Sequence, residues 1–506
     1  MAEVVVVGAG LGGLAAAARL AALGHRVTVC EQAPVTGGKT GWFSRDGFGF
    51  DTGPSLLTLP AVYRDLFAKT GGPLEDHVEL LPVDPACAYR FYDGTRLEVP
   101  NLNRGAVRDA LDGALGAGAG AQWAAFMERA GRIWDATREP FLTSPLEGPR
   151  TLARLSRRTD DLRTIAPWAS LRGLGRRYLD HPHLRTFLDR YATYTGSDPR
   201  RAPAALATVP YVEQVFGSWY VRGGLRRLAE AVEQRAWACG ATVLRGADVA
   251  EVLLDGGRAA GVALADGRRL RADVVVANAD AAHLYRDLVP DAAGAPLRRA
   301  RAGLGRATPS LSGFVLMLAL RGRTPGLRHH TVLFPEDYDA EFDAVFGTGR
   351  FRGHPRPVED PTVYVSAPDD PATRPDDDSE AWFVLVNAPR HVPDDARAGI
   401  DWDAPGLADC YADRVLAVMA SRGLDVRDRL LWRQVRTPAD LERDTRSVGG
   451  SIYGTSSNGA RAAFLRPANA SPVPGLFLVG GSSHPGGGLP LVGLSAEIVA
   501  GLVGRA

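Results

Sequence analysis

Lysine is almost missing from this chain of 506 residues: Lys39 and Lys69 are the only two among 59 basic residues. Arginine supplies the rest of the positive charge, so a single arginine is weak evidence for a binding site here. The formal net charge is only +1. Such a balance gives no support for a nucleic-acid partner, because those proteins carry a clear basic excess.

Cysteines and long apolar runs are also scarce. No run of about 18 apolar residues occurs, so no membrane span is predicted. The first predicted strand begins at Val4, which leaves no room for a signal peptide. The cysteines are too far apart for a C-x-x-C pair, so we expect a reducing compartment, no disulfide framework and no metal site. They are Cys30, Cys87, Cys239 and Cys410.

The composition is otherwise that of a globular protein. Hydrophobic residues make up 45% of the chain and charged residues 23%, which excludes a disordered or fibrous class. The length exceeds the ~250–300 residues at which a single core stops growing. We therefore expect two or three domains in a cytoplasmic protein, which either stays in solution or lies on a membrane surface.

The N-terminal stretch has the pattern of a dinucleotide-binding unit. Residues 4–7 predict a buried parallel strand, and residues 14–23 predict an alanine-rich helix. Between them, Gly8, Gly10 and Gly13 have the G-x-G-x-x-G spacing. These glycines allow a tight turn, close approach to a pyrophosphate and close packing of helix on strand. The pattern indicates phosphates at the helix N-terminus; a glycine-rich turn without a ligand is the alternative.

Two further residues strengthen the nucleotide prediction. Glu31 ends a second predicted strand, residues 26–30, about 20 residues beyond the glycines, where a carboxylate can accept ribose hydroxyls. Lys39 follows in a glycine-rich loop, and a second such loop covers residues 47–55. We expect Lys39 to face a pyrophosphate or the pyrimidine end of a flavin, with a solvated loop lysine as the alternative.

The C-terminal region repeats the theme of strand, glycine loop and helix. Residues 480–490 read Gly-Gly-Ser-Ser-His-Pro-Gly-Gly-Gly-Leu-Pro, and a helix is predicted from Ser495. A glycine loop beside a helix N-terminus suits a group that gains charge on reduction, such as the edge of a flavin ring. This second loop favours FAD over NAD and predicts one site closed by both ends of the chain.

The element pattern predicts an α/β protein with three parts. These are a Rossmann-like FAD-binding domain with a parallel sheet, a substrate-binding domain with a mixed or antiparallel sheet, and a helical lid or membrane-docking segment. The FAD-binding domain is predicted from residues 1–80, 210–285 and 436–506, the substrate domain from 81–102 and 286–435, and the helical segment from 103–209.

The helical segment is strongly basic in its second half. Residues 150–201 contain twelve arginines, five aspartates and no glutamate. Arginines interleaved with apolar side chains are typical of a helix that docks on anionic lipid, although an ordinary amphipathic bundle is the alternative. The interleaved side chains are Trp168, Leu171, Leu174, Tyr178 and Phe187.

With these motifs in view, the chain resembles the bacterial FAD-dependent carotenoid desaturases (phytoene desaturase and relatives such as hydroxycarotenoid 3,4-desaturase), within the amine oxidase-like flavoproteins. The resemblance covers nearly the full length. Arginine usually stands in that family where this chain has Lys39, which keeps the charge. The matching motifs are the N-terminal glycines and residues 37–39, 50–54, 191–196, 219–224, 329–334, 449–454 and, most specifically, 480–490.

The resemblance implies FAD chemistry on an apolar polyene threaded into a tunnel. Hydride would leave an allylic carbon for the flavin and a proton would follow; the final electron acceptor would be oxygen or a quinone. A peripheral membrane surface would be a partner, and the oligomeric state stays open. Together with the loops, the resemblance implies these further FAD contacts: Gly38, Lys39, Gly53, Pro54, Ser55, Val249, Gly480, Gly481, Gly488, Leu489, Pro490 and Val492.

Histidines are the candidate proton carriers. His484 lies in the C-terminal glycine loop, where it could shuttle a proton or simply hydrogen-bond within the loop. His329 and His330 are adjacent on a predicted strand, so only one of the two can face a given site. Two other functions also stay open: a flavin amine oxidase acting on a small amine, and a non-enzymatic prenyl or lipid escort of the same fold. Among desaturases, phytoene desaturation, 3,4-desaturation and terminal-methyl oxidation are not distinguished.

Overall fold

A computed structural model describes residues 1–146, 159–459, 462 and 466–506. Its strands are β1 Glu3–Val7, β2 Arg26–Glu31, β3 Trp42–Arg45, β4 Phe48–Asp51, β5 Leu80–Pro82, β6 Cys87–Arg90, β7 Arg96–Val99, β8 Trp219–Val221, β9 Thr242–Arg245, β10 Val249–Asp255, β11 Arg258–Leu264, β12 Arg269–Arg271, β13 Val274–Ala277, β14 Ser312–Arg321, β15 His330–Leu333, β16 Val363–Ser366, β17 Ser379–Ala388, β18 Leu430–Arg436 and β19 Leu476–Leu478.

The described α-helices are α1 Leu11–Ala22, α2 Ala61–Thr70, α3 Arg104–Leu115, α4 Ala119–Thr137, α5 Thr159–Ile165, α6 Leu171–Gly175, α7 Pro182–Asp189, α8 Thr208–Phe216, α9 Arg226–Ala238, α10 Ala281–His283, α11 Ala295–Arg306, α12 Tyr338–Phe346, α13 Leu407–Ser421, α14 Pro438–Thr445 and α15 Leu489–Val503. Among the helices that the structure describes, none is both long and apolar enough to cross a membrane.

A parallel sheet gathers strands from both ends and the middle of the chain. Its order is β19-β13-β1-β2-β9, and β1 pairs in parallel with both β13 and β2. The valine run of β1 is needed because both faces of this strand are covered. The last strand of the sheet is β9, which pairs in parallel with β2.

Both helices at the glycine loops begin earlier than the sequence predicts. α1 begins at Leu11, because Gly10 is extended (φ −68°, ψ 167°) and already serves as its N-cap. α15 begins at Leu489, directly after Gly488, instead of at Ser495. The N-terminal turns of both helices therefore lie closer to the glycines than expected.

The alanines of α1 form the centre of one core. Their small side chains let α15 and α9 approach α1 closely, and Ala16, Ala17 and Ala18 have no exposed surface. The opposite face of the parallel sheet is covered by the three-stranded sheet β10-β11-β12. Close packing of this kind holds the two chain ends against the same sheet.

A seven-stranded mixed sheet forms the second layer, in the order β18-β14-β17-β16-β15-β6-β7. Alternation along β14 divides its side chains between two environments. Phe314 and Leu316 pack in a core with Tyr411 and Val415 of α13, whereas Val315 faces a cavity between the sheets. This sheet thus provides one wall of the cavity.

The helical segment packs inward more than the sequence predicts. Leu171, Leu174 and Phe187 are buried in a core with Trp123 and Phe126, so these side chains are not available to a membrane. Tyr178 is half-buried against the same core. Residues 147–158, which include four of the counted arginines, lie outside the described residues.

Several of the remaining arginines of this segment are also used within the fold. Arg172 forms ion pairs with Asp189 and Asp339. Arg200 likewise contacts two aspartates, one of them Asp198. The excess of positive charge on the surface is therefore smaller than the sequence count implies. Trp168, by contrast, is 68% exposed.

Candidate active site

One cavity of about 500 Å³ runs from the carboxyl ends of the parallel strands to the mixed sheet. The position matches the rule that ligands of open α/β sheets bind beyond the carboxyl ends of the strands. Most of the residues predicted to contact FAD line this cavity: Gly8, Gly10, Glu31, Gly38, Lys39, Gly53, Pro54, Ser55, Val249, Gly481, Gly488, Leu489, Pro490 and Val492.

Gly13 and Gly480 are not part of the cavity wall but lie directly behind it. A Cβ atom on Gly13 would lie 2.2 Å from the Gly8 carbonyl oxygen, and one on Gly480 would lie 2.5 Å from Asn278 Oδ1. At Gly13 the backbone excludes a side chain, whereas one at Gly480 would have to displace Asn278 and adopt a strained φ of +105°. These two glycines shape the wall and need not touch a ligand.

Asn278 is a residue of this region that the sequence did not mark as part of the site. It follows β13, and its side-chain amide packs against glycines of both loops: a Cβ on Gly10 would lie 2.6 Å from Asn278 Nδ2. Gly488 has the opposite surroundings, because a Cβ there would meet no described atom within 4 Å. Space in front of Gly488, bounded by bare backbone, is the shape that a flat ring needs.

Glu31 has a second role beyond the one predicted. Its Oε2 accepts a hydrogen bond from the Ala9 backbone N–H at 2.7 Å, and its Oε1 accepts one from Ala33 at 2.9 Å. The carboxylate therefore holds the glycine loop in place while it lines the cavity. Each oxygen keeps a lone pair with which it can accept a ribose hydroxyl.

Lys39 is not a solvated loop residue, so that alternative is wrong. Its Nζ donates to the backbone carbonyls of Ser451, at 3.1 Å, and Ile452, at 2.8 Å. Burial lowers the pKa of Lys39 to about 8, and the nearby Asp280 carboxylate partly offsets this effect. The ammonium group thus joins the 451–452 loop to the cavity wall.

The three candidate histidines differ in whether they face the cavity. His484 is buried, with Nε2 3.0 Å from the Ser144 carbonyl oxygen, and it is not among the described residues that line the cavity. Burial lowers its pKa to about 4. This geometry favours the structural role over the proton shuttle. His330 lines the cavity and His329 does not, as expected for neighbours on a strand.

A hydrogen-bonded chain connects His330 to the second glycine loop. The Tyr364 hydroxyl lies 2.7 Å from His330 Nδ1 and 2.6 Å from Ser55 Oγ. Burial lowers the pKa of His330 well below its ordinary value, so the ring is neutral. Burial also raises the pKa of Tyr364, which keeps its hydroxyl protonated.

A buried charged cluster at the cavity was missed at the sequence level. Arg190 Nη1 donates to the hydroxyls of Tyr89, at 3.3 Å, and Tyr194, at 3.0 Å. Glu213 accepts from Tyr191, at 2.7 Å, and from Tyr194, at 2.9 Å. The available signal was the pair of tyrosines at i and i+3 beside an arginine, which places three polar side chains on one helical turn.

The remaining wall on this side of the cavity is mainly apolar. It is built from alternate residues of β14 and β17 and from the loops beside them, so a long hydrocarbon can lie along these side chains. The apolar lining residues include Leu56, Leu311, Val315, Phe383 and Leu385.

Comparison with known proteins agrees with this architecture. A family model described as flavin containing amine oxidoreductase matches residues 11–379. A 4,4'-diapolycopene oxygenase from Methylomonas sp is 33% identical over 501 residues, which cover 98% of this chain and 97% of that protein. A hydroxyneurosporene desaturase from Rubrivivax gelatinosus is 35% identical over 516 residues, covering 98% and 92%.

Among solved structures, putrescine oxidase bound to putrescine aligns with a TM-score of 0.63 at 16% identity, over 99% of this chain and 98% of that one. Identity this low shows a shared fold alone. The predicted Rossmann-like fold, the flavin cofactor FAD and the oxidoreductase class are confirmed. The chain therefore belongs to the flavin-containing amine oxidoreductase family, and its full-length relatives include carotenoid desaturases and oxygenases.

Proposed function

We propose that this protein introduces double bonds into an acyclic carotenoid, with FAD as the oxidant. The observation that carries the proposal is one continuous cavity, which has glycine loops at one end and an apolar wall at the other. FAD would lie along the loops and a polyene along the apolar wall. The names of the full-length relatives support this substrate class.

When bound, FAD supplies the acceptor for a hydride from an allylic carbon, so that loss of a proton from the neighbouring carbon completes a new conjugated C=C bond. Gly10, Gly38 and Gly488 bring bare backbone to the cofactor, while Glu31 accepts the ribose hydroxyls. Ser55, Tyr364 and His330 form a hydrogen-bonded chain on the cavity wall, where they are the candidates to receive the released proton.

We also propose that the protein works at the cytoplasmic face of a membrane, where such a substrate dissolves, and passes the electrons to oxygen or a quinone. Trp168 is 68% exposed, and the side chain of Arg163 is 80% exposed. Arg176 and Arg177 nearby are exposed as well. An exposed tryptophan among arginines suits the interface between lipid headgroups and acyl chains.

A flavin amine oxidase is the second candidate function. The positive charge of Arg190 at the cavity argues against it. The buried Arg190 guanidinium lines the wall, and both oxygens of Glu213 already accept hydrogen bonds from tyrosines. An ammonium substrate would meet a like charge in a water-poor cavity, where repulsion is strong. An uncharged polyene avoids this repulsion. The intact glycine loops likewise argue against a flavin-free escort.

The test uses the full chain, loaded with FAD and mixed with liposomes that contain an acyclic carotene. Desaturation lengthens the conjugated system, so we expect the polyene absorption to move to longer wavelength. Putrescine in a parallel reaction should release no hydrogen peroxide. A protein that binds no FAD, or one that oxidises the amine and leaves every polyene unchanged, would refute the proposal.

A further inference from the structure

The Arg190 guanidinium has unused hydrogen-bonding capacity at the cavity. Only its Nη1 has partners, the hydroxyls of Tyr89 and Tyr194. Nε and Nη2 have none among the residues that the structure describes, and Arg190 forms no ion pair with any described carboxylate. The residue is only 8% exposed and it lines the cavity. A charge with free donors inside a cavity is costly to dehydrate unless a ligand satisfies it.

A second buried polar group also lines the cavity. Tyr338 lines the wall and is 7% exposed, and its hydroxyl has no hydrogen-bond partner within the described ranges. Like Arg190, it belongs to the wall of the cavity that also contains Tyr364. The two side chains thus add unpaired hydrogen-bonding groups to a wall that is otherwise suited to hydrocarbon.

The chemistry of these groups defines what can bind them. A guanidinium can only donate hydrogen bonds, so its ligand must bring an acceptor. A hydrocarbon polyene has no acceptor and would seal Arg190 into a dry cavity with its donors unpaired. An oxygen at the end of the polyene, in a hydroxyl or a carbonyl group, would accept from Arg190, and a hydroxyl could also bond to Tyr338.

We propose that the substrate is an acyclic polyene with an oxygen-bearing end group, and that Arg190 binds this oxygen and sets the specificity. The inference rests on the function proposed above and narrows its substrate class. Tyr194 holds the guanidinium in place, because it accepts from Arg190 while it donates to Glu213. Burial raises the pKa of Tyr194, so its hydroxyl stays protonated.

The location of Arg190 relative to the glycine loop agrees with this role. Its Cζ lies 5.8 Å from the centre of the Tyr364 ring, and the Tyr364 hydroxyl bonds to Ser55. One aromatic side chain therefore separates the arginine from the loop predicted to contact the flavin. An end group bound at Arg190 would therefore lie close to the Tyr364 ring.

The experiment compares three acyclic carotenes of equal conjugation length in liposomes with the FAD-loaded full chain. One is a hydrocarbon, one has a terminal hydroxyl and one a terminal aldehyde. We expect kcat/KM to be about tenfold or more higher for an oxygenated substrate than for the hydrocarbon, as a hydrogen bond to a charged group implies. The better of the two oxygenated substrates identifies the end group.

Variants of Arg190 test whether this residue causes the preference for an oxygenated substrate. Arg190→Met should reduce the ratio between oxygenated and hydrocarbon substrates to about one, and Arg190→Lys should restore part of it, since the charge returns without the planar fork. Arg19→Met is the matched control: Arg19 is equally buried, at 6% exposure, but pairs with Asp65 outside the cavity. It should leave the ratio unchanged.

The outcomes separate this inference from the proposed function. Equal or faster turnover of the hydrocarbon by the wild-type protein overturns the inference while desaturation stands, and the same holds if Arg190→Met keeps the preference. If none of the three polyenes is oxidised, the proposed function itself fails. Because the wild-type ratio is decisive alone, a variant that loses FAD through misfolding does not remove the test.

Discussion

Gly13 is a residue at which one added methyl group should disable the nucleotide loop. Its Cβ would lie 2.2 Å from the backbone oxygen of Gly8, and backbone cannot move aside as a flexible side chain can. We expect Gly13→Ala to lower the free energy of unfolding by about 2 kcal/mol or more. Most of the bound FAD should be lost, as measured by the flavin absorbance of the purified protein.

Gly113 provides a matched control for this substitution. It lies within α3 and is exposed, and a Cβ there would meet no described atom within 4 Å. Gly113→Ala should therefore raise the free energy of unfolding by about 0.5–1 kcal/mol, since alanine loses less backbone entropy in a helix. Equal flavin contents for the two variants would contradict the role assigned to Gly13.

His484 should make stability depend on pH. Burial lowers its pKa to about 4, whereas an unfolded histidine titrates near pH 6.5. Stability is therefore fully present above pH 6.5 and falls by about 1 kcal/mol per pH unit toward pH 4, because only the unfolded chain gains the proton. His484→Gln should flatten this slope in urea unfolding at pH 7.5 and 5.5.

The same variant separates the two roles considered for His484. A residue that only bonds the Ser144 carbonyl should tolerate glutamine, whose amide can still donate, and turnover of a carotene should stay within a few-fold of wild type. A loss of turnover with unchanged stability at both pH values would favour the proton shuttle instead. The residue type alone could not distinguish the two roles, because they differ in whether the imidazole ring faces the cavity or packs against Ser144.

At the scale of elements, the turn between α5 and α6 carries the exposed Trp168, and we expect this turn to contact the membrane. Trp168→Ser should weaken binding to anionic vesicles by about fivefold to tenfold in sedimentation, because the exposed ring is the main apolar group among the described residues of this basic surface. Trp237 is 46% exposed on α9, so Trp237→Ser is the control. Equal losses for both variants would remove the special role of this turn.

The positions of strands were predictable where the local periodicity of apolar residues determines them. The valine run of β1 and the neighbouring strand β2 form as predicted. The starts of α1 and α15 were not, because a glycine at the N-terminus of a helix has no side chain to mark the boundary. The inward packing of Leu171 and Phe187 also depends on partners from α4, which no local pattern contains.

At the scale of the whole molecule, the two ends of the chain close one site. α15 packs against α1, and a Cβ on Gly12 would lie 3.0 Å from Val492 Cγ1 and 3.1 Å from Gly480 Cα. Removal of residues 489–506 should therefore abolish FAD binding and expose the alanine face of α1. Removal of only Arg505 and Ala506 should preserve both the flavin absorbance and the melting temperature within about 2 °C. Flavin retained by the longer truncation would show that the N-terminal loop suffices.

The sequence by itself determined the dinucleotide unit, the second glycine loop and the class of the fold, because strand, glycine and helix signals are local and need no partners. Its three-part division into domains stays a prediction. Only the tertiary structure decided which side chains from the middle of the chain meet at the cavity. Arg190, Glu213 and Tyr364 come from different elements, so no local sequence pattern brings them together. Burial brings them together in one cavity and removes the water that would otherwise satisfy them.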